Sequence, residues 1–261
     1  MSSRLFQILP GILGDGRFDR SLPVRYEGRE VFRIHDFGSI SRMRSESFEI
    51  KEPETLRWIS GFPKGSRLVD VGANVGLFSL FAASRGCDVV SVEPDALNYA
   101  LLQKNIRLNQ PIVGERIRSY SVALHRELKV STLNLSSNEW GGALSSFDNE
   151  VDFKGDAFAP LHRQGSVGMR LDELIGSLRF EPTHLKIDVD GNEGEVLEGA
   201  VSTLRCRVLC SVLIEFDERR PDYEACCRML DKAGFVLAEK THSDIYSQGR
   251  FSSSYNHIFV R

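Results

Sequence analysis

The sequence predicts an α/β protein: a mostly parallel sheet covered by helices on both faces and closed by one antiparallel strand. Three observations carry that prediction. From Arg67 onward, short apolar runs alternate with helix-length amphipathic stretches, and each right-handed crossover in such a chain lays its helix on a face of the sheet. The first run passes into its helix through a glycine-bearing turn, DVGANVG, at 70–76. The last two strand-like runs follow one another with no helix between them, as in a hairpin. With 261 residues, 41% of them apolar, the chain can bury one full core with an elaboration, and not two large ones.

Taken in order, residues 1–64 hold strand-like pieces in VRYEGREVFRI and a short helix over 54–60. They show no alternation of their own and read as a cap or extension on a domain spanning 65–261. The opening MSSRLFQILPGILGDGRFDR has an apolar stretch interrupted by Pro10, too short to span a bilayer and without a cleavage pattern, and no later segment approaches transmembrane length. RLVDVG at 67–72 is the first buried strand, and 75–85 a helix with Leu77, Leu80 and Phe81 on one face. DVVSVE at 88–93 is the second strand. Pro94 and Asp95 then open a helix to about Asn109, since proline is tolerated in a first turn and aspartate accepts from its free N–H groups. A third strand covers 117–124 and another follows in 128–135, whereas 136–164, with Gly141-Gly142 and little periodicity, reads as a loop or insertion. THLKIDVDG at 183–191 is a strand ending in acids. A helix over 193–205, a strand over 208–216, a helix over 223–233 capped by Gly234, and closing strands at 236–242 and 255–260 complete the pattern. No repeat or low-complexity tract interrupts it.

Net charge is −3, with Lys and Arg scattered among the acids, so no nucleic-acid partner is expected. The five cysteines, Cys87, Cys206, Cys210, Cys226 and Cys227, form no CxxC pair and no zinc-ligand spacing. They read as buried thiols in a reducing, cytoplasmic compartment.

In open parallel sheets, ligands bind beyond the carboxyl ends of the strands, and DVGANVG occupies such a position. Gly72 and Gly76 allow close approach of the backbone to a ligand, and the helix start offers unpaired N–H donors. A dinucleotide turn would read G-x-G-x-x-G, but Asn74 stands at the middle glycine and Ser79 or Leu80 at the third, which leaves a pyrophosphate without a clear seat. Glu93, at the tip of the second strand, lies about 5 Å from the first tip, within reach of a ribose. That geometry suits NAD and S-adenosylmethionine equally. Asp70 would repel a pyrophosphate but is tolerated beside an ammonium and a sulfonium.

VDVGANVGLFSLFAA, SVEPDALNYALLQKNIRLN, LDEL, LKIDVDGNEGEVLEGA and VLIEFDE fall in an order that resembles the FkbM family of S-adenosylmethionine-dependent methyltransferases over roughly 52–259. The resemblance implies the class I methyltransferase fold, Rossmann-like, with seven strands and the last antiparallel. It further implies that Asp70, Gly72, Asn74 and Gly76 line the methionine and ribose side of the cofactor, that Glu93 binds the ribose, and that Ser121 and Ala123 border the adenine.

Methyl transfer from a sulfonium is an in-line displacement helped mainly by positioning and electrostatics. A hydroxyl acceptor has one proton to lose, and Asp188, Asp190 and Glu193 at the sheet centre are the candidates to take it; Asp188 is counted with the cofactor-binding residues as well. Strict alternation would put Asp188 and Asp190 on one side of the strand. Their repulsion points to a general base with a raised pKa or, as the less favoured alternative, a divalent metal shared with Glu215 or Asp217. Capping of the next helix by Asp190 or Asn192 is the remaining reading. His257 is a further candidate base, His184 falls at the opposite strand end, and Lys186 is expected to snorkel or to pair with an acid. Trp140, with Glu46 and Phe48 of the cap, either closes over an acceptor or, for Trp140, anchors the insertion. The expected activity is O-methylation of a hydroxyl on a sugar, glycan or small natural product. A nicotinamide oxidoreductase, opposed by the missing glycines, and a catalytically silent cofactor-binding partner are the alternatives. Oligomeric state is not legible.

Overall fold

A computed structural model describes residues 20–242 and 247–261; the apolar stretch around Pro10 lies outside them. The first elements are an antiparallel hairpin, β1 (Ser21–Tyr26) and β2 (Arg29–His35), and three helices, α1 (Ser39–Glu46), α2 (Phe48–Lys51) and α3 (Pro53–Ser60). The hairpin turns at Glu27 and Gly28, both at positive φ, as a two-residue loop that matches strand twist requires. Then follow β3 (Arg67–Val71), α4 (Leu77–Ser84), β4 (Asp88–Val92), α5 (Ala96–Leu108), α6 (Gln110–Val113), β5 (Ile117–Tyr120), β6 (Ala123–Leu124), β7 (Lys129–Leu135), β8 (Ser146–Phe147) and β9 (His162–Met169). The chain continues with α7 (Leu171–Leu178), β10 (His184–Ile187), α8 (Glu193–Glu198), α9 (Val201–Arg205), β11 (Ser211–Asp217), α10 (Tyr223–Lys232), β12 (Val236–Thr241) and β13 (Ser254–Val260).

Seven strands form the main sheet in the order β12-β13-β11-β10-β3-β4-β5. β13 runs antiparallel to both its neighbours and the remaining pairs are parallel, the arrangement expected from the alternation. The order reverses between β3 and β10, so a crevice opens there at the carboxyl ends. Apolar clusters fill both faces of the sheet, one built around Leu197, Ile214 and Phe235, the other around Phe32, Leu80 and Phe81.

The N-terminal elements share the second cluster. Asn105 on α5 and Asn109, the residue that caps its C-terminus, accept from the main-chain N–H groups of His35 and Arg33 at 2.9 Å each. Asn109 Nδ2 donates back to the Arg33 carbonyl at 2.6 Å. These bonds satisfy one edge of β2 that would otherwise be open to pairing. Among the described residues, no helix is long and apolar enough to cross a membrane.

Four expectations need correction. The third strand divides: β5 stays in the main sheet, and β6 leaves it to join a second sheet, β6-β9-β7-β8. β9 was not legible because HRQGSVGM opens with three polar residues and carries two glycines, which leaves too few apolar positions to give a period. The helix over 193–205 breaks at Gly199, where a Cβ would stand 2.3 Å from the His125 carbonyl oxygen. The acid-ended strand stops at Ile187, and the chain turns through Asp190 and Gly191, both at positive φ.

Phe48 is buried against Phe32 and Phe81, with ring centroids 5.5 and 5.6 Å away, and Glu46 is exposed to solvent. Trp140 lies on Phe37 at 4.7 Å and packs against the same cluster, so it anchors the 136–164 segment. Trp140→Ala should therefore cost about 2 kcal/mol of stability in a denaturant titration, less than a fully buried tryptophan because the ring is only partly buried. An unchanged midpoint with a raised acceptor KM would contradict the anchor.

Candidate active site

A cavity of about 450 Å³ opens at the carboxyl ends of β3, β4, β10 and β11, within the range of small-molecule sites. Gly72, Asn74, Glu93, Ala123, Asp188 and Asp190 line it, so six of the expected residues converge there.

The two glycines of the turn are needed by the chain itself, and Gly72 also lines the cavity. A Cβ on Gly72 would fall 1.8 Å from the Asp188 carbonyl oxygen, and one on Gly76 2.5 Å from Leu102 Cδ1. Both hold φ values, 78° and 91°, that L side chains rarely adopt. Gly76 caps α4 and does not line the cavity. The turn does present Asn74, whose N–H donates to Glu93 Oε2 at 2.8 Å and whose Nδ2 donates to the Gly142 carbonyl at 2.7 Å. Asn98 and Arg44 also hold the Gly141-Gly142 segment, Arg44 Nη2 reaching the Gly141 carbonyl at 2.7 Å, so this segment is a wall of the cavity.

Glu93 takes a second main-chain bond, from Asp95 N at 2.9 Å. Burial pushes its carboxyl up to about 8 against the pull of these two amides. Beside it, Val122, Ala123, Leu124 and Leu133 make an apolar wall, whereas Ser121, at the break between β5 and β6, faces solvent and is not part of the lining.

Asp70 does not face the cavity either. Strand register places it in a row with Lys186 on β10 and Ser91 on β4, on one face of the sheet. Its Oδ2 accepts from Ser79 Oγ at 2.5 Å, Ser79 meets Ser91 at 2.7 Å, and Oδ1 has no hydrogen bond among the described residues. Lys186, 1% exposed, donates from Nζ to Asp188 Oδ2 at 2.8 Å. Burial disfavours its charge, but Asp188, Asp70 and Glu52 together raise its pKa above the ordinary lysine value. Burial likewise works against ionisation of Asp188, and Lys186 outweighs it, holding that carboxyl below its usual range.

Asp190 reaches the cavity through the turn and not through strand alternation. Its Oδ2 accepts from Leu144 N at 2.6 Å. Burial, then the Asp188 charge, pushes it up to about 6. Glu193 sits behind it, accepts from Gly191 N at 3.0 Å, and is pushed up to about 7 by burial. Asn192 stands at the N-cap position of α8 but makes no side-chain cap there; it bonds to Ser146 and Phe147 of β8 instead.

His257 is fully buried among Phe216, Tyr223 and Phe259 and does not line the cavity. Its Nε2 lies 3.2 Å from Tyr223 Oη and 3.3 Å from Glu218 Oε1, and burial pulls its pKa down. The neighbouring Asn256, paired with Glu215 across β11 and β13, lines the cavity in its place, because successive residues of a strand face opposite ways. At the opposite end of β10, His184 stacks on Phe62 at 3.6 Å and bonds Ser211 Oγ.

Among the described residues, no group of three or more His, Cys, Asp or Glu is arranged to hold a metal. Of the proposed ligands, Asp188 is paired with Lys186, and Asp217 is clasped by Arg219 at 2.7 Å. Sequence reasoning missed Arg44, Lys51, Glu52 and Glu54, which the N-terminal elements bring to the lining. The acids on either side of Pro53 were the only local signal, and nothing in their spacing tied them to a site 130 residues away in the chain, on the order of β10's distance.

A sheet with one inserted antiparallel strand, a glycine turn after its central strand and a buried acid at the tip of the next one defines a class I S-adenosylmethionine-dependent methyltransferase. The buried Glu93 carboxyl beside an apolar wall fits a ribose and its adenine. Residues 70–237 match the family described as methyltransferase FkbM domain, and the chain belongs to the FkbM methyltransferase family. Among its relatives, Methyltransferase 1 of Beauveria bassiana is 24% identical over 193 residues, covering 69% of this chain and 76% of that one. Methyltransferase sdnD of Sordaria araneosa is 27% identical over 205 residues, covering 69% and 77%. Among solved structures, magnesium protoporphyrin IX methyltransferase of Synechocystis PCC 6803 aligns at 12% identity with a TM-score of 0.49, over 99% of this chain and 92% of that one.

Lys186→Met should remove the charge that offsets Asp70 and Asp188 and cost about 3 kcal/mol, as breakage of a buried ion pair does. Denaturant midpoints of the two proteins measure this, and equal midpoints would show that the pair is not needed for folding.

Proposed function

We propose that the enzyme O-methylates a hydroxyl on a sugar, glycan or other small natural product, with Asp190 as the proton acceptor. The observation that carries this reading is a cavity-lining carboxyl held at about 6 by burial and by Asp188, close enough to neutrality to be ionised in the cell and still basic enough to take a proton. S-adenosylmethionine, when bound, supplies the electrophilic methyl group. Glu93 and the Asn74 turn hold its ribose, the wall of Val122 to Leu124 takes its adenine, and Asp188, kept ionised by Lys186, sets a fixed negative charge between cofactor and acceptor. The N-terminal segment acts as a cap that excludes water from the acceptor end through Arg44, Lys51, Glu52 and Glu54. A reducing, cytoplasmic setting agrees with five free thiols.

Glu93→Ala should weaken S-adenosylhomocysteine binding at least about tenfold by calorimetry, the loss of a buried pair of hydrogen bonds to the ribose. Methyl transfer from labelled S-adenosylmethionine into a panel of hydroxylated sugars and natural products tests the acceptor class. With a responding acceptor, wild-type kcat/KM should fall about tenfold per pH unit below about 6, as Asp190 becomes protonated. Asp190→Asn should lower kcat by about 10²-fold or more while leaving S-adenosylhomocysteine affinity unchanged. Full activity in that variant, with the acid limb intact, would remove Asp190 from the role.

A further inference from the structure

Beyond β10, on the side away from the glycine turn, the cavity is walled by β11, the start of β13 and the N-terminal helices. This end is acidic and incompletely bonded. Among the described residues, Glu215 on β11 makes no hydrogen bond, and the nearby Ser254 of β13, 6% exposed, has a buried Oγ without a partner. Both line the main cavity and also a water-sized void of about 20 Å³ continuous with Asp190 and Glu193. Asn256, in register with Glu215, is turned toward the cap by its 2.8 Å bond from Nδ2 to Glu54 Oε1.

The acidic side chains of the cavity outnumber its cations: six carboxyl groups, Glu52, Glu54, Glu93, Asp188, Asp190 and Glu215, line it with Arg44, Lys51 and Lys186. Lys186 is taken by Asp188, Lys51 pairs with Glu52 at 3.3 Å, and Arg44 bonds the Gly141 carbonyl. Burial comes first among the effects on Glu215, and the charges of Asp188, Glu52 and Asp190 add to it against the opposing charge of Lys51, so its pKa stands well above the ordinary value.

On the basis of the methyltransferase reading above, we propose that the acceptor carries a protonated amine beside the hydroxyl to be methylated, and that this ammonium is seated between Glu215 and Ser254. An ammonium offers three donors to groups that lack partners, the Ser254 hydroxyl oxygen and the Glu215 carboxylate among them. It also returns Glu215 to its ionised form, so binding releases a proton. A neutral polyol offers none of this compensation, although it can exchange hydrogen bonds with a protonated Glu215.

The test compares D-glucosamine with D-glucose, which differ in one amine, by ligand-observed NMR titration at pH 7 on the full chain, with and without S-adenosylhomocysteine. The amine is expected to bind at least tenfold more tightly in both states, and E215Q to abolish the preference. Ser254→Ala, a smaller change within the same fold, should reduce the preference several-fold. Equal affinity for the two sugars overturns the proposal, as does a preference that survives both substitutions. Displacement of glucosamine by millimolar magnesium or calcium with no displacement by methylammonium also overturns it, and names a divalent cation as the occupant. Failure of the protein to bind S-adenosylhomocysteine is read separately in the same titration and bears on the methyltransferase reading, since the amine preference is measured on the free chain as well.

Discussion

The Lys186 ammonium, buried where the strand order reverses, is the constraint from which the rest of the site follows. A lone charge at that depth is untenable, and the sheet answers it with Asp70 in the adjacent strand and Asp188 just past its own. Because Asp70 is committed to this row, with Ser79 and Ser91 holding it, the floor of the crevice is a neutralised layer and the polar work above it falls to other side chains. The same region sets the strand ends. The Asp188 carbonyl lies so close to Gly72 that no side chain fits at that position, and the cavity opens there.

The walls above this floor come from distant parts of the chain. Asparagines do much of the joining: Asn74 and Asn98 hold Gly142, Asn105 and Asn109 hold the edge of β2, and Asn192 holds β8. An amide side chain carries both donors and acceptors, so it can satisfy irregular backbone that no ladder reaches. Five such residues allow the 136–164 segment and the N-terminal hairpin to pack closely over the sheet.

Chemically identical side chains diverge here because their surroundings do. Asp188 stays ionised beside an ammonium; Asp190, two residues on, shares its burial without a cation of its own and rises to about 6. Glu193 and Glu93 rise further, to about 7 and about 8, although each accepts main-chain N–H bonds. Separation of neighbouring carboxyls into a permanent charge and a titrating group is how a site obtains both electrostatic positioning and proton transfer from acids alone.

The alternation of apolar runs, the glycine turn and the acid at the second strand tip were determined by sequence alone, since period and turn chemistry are local properties. They were enough for the sheet, its antiparallel strand and the placement of Asn74, Glu93, Asp188 and Asp190. The direction each side chain takes was decided only by tertiary structure. Asp70 belongs to an internal row and His257 to the far face because cross-strand register, which no single strand records, assigns them there. The split of the third strand and the breaks at Gly199 and Ile187 are of the same kind, as is the arrival of Arg44, Lys51, Glu52 and Glu54 at the cavity. Each depends on contacts between segments far apart in the chain, and their spacing along it holds no trace of those contacts.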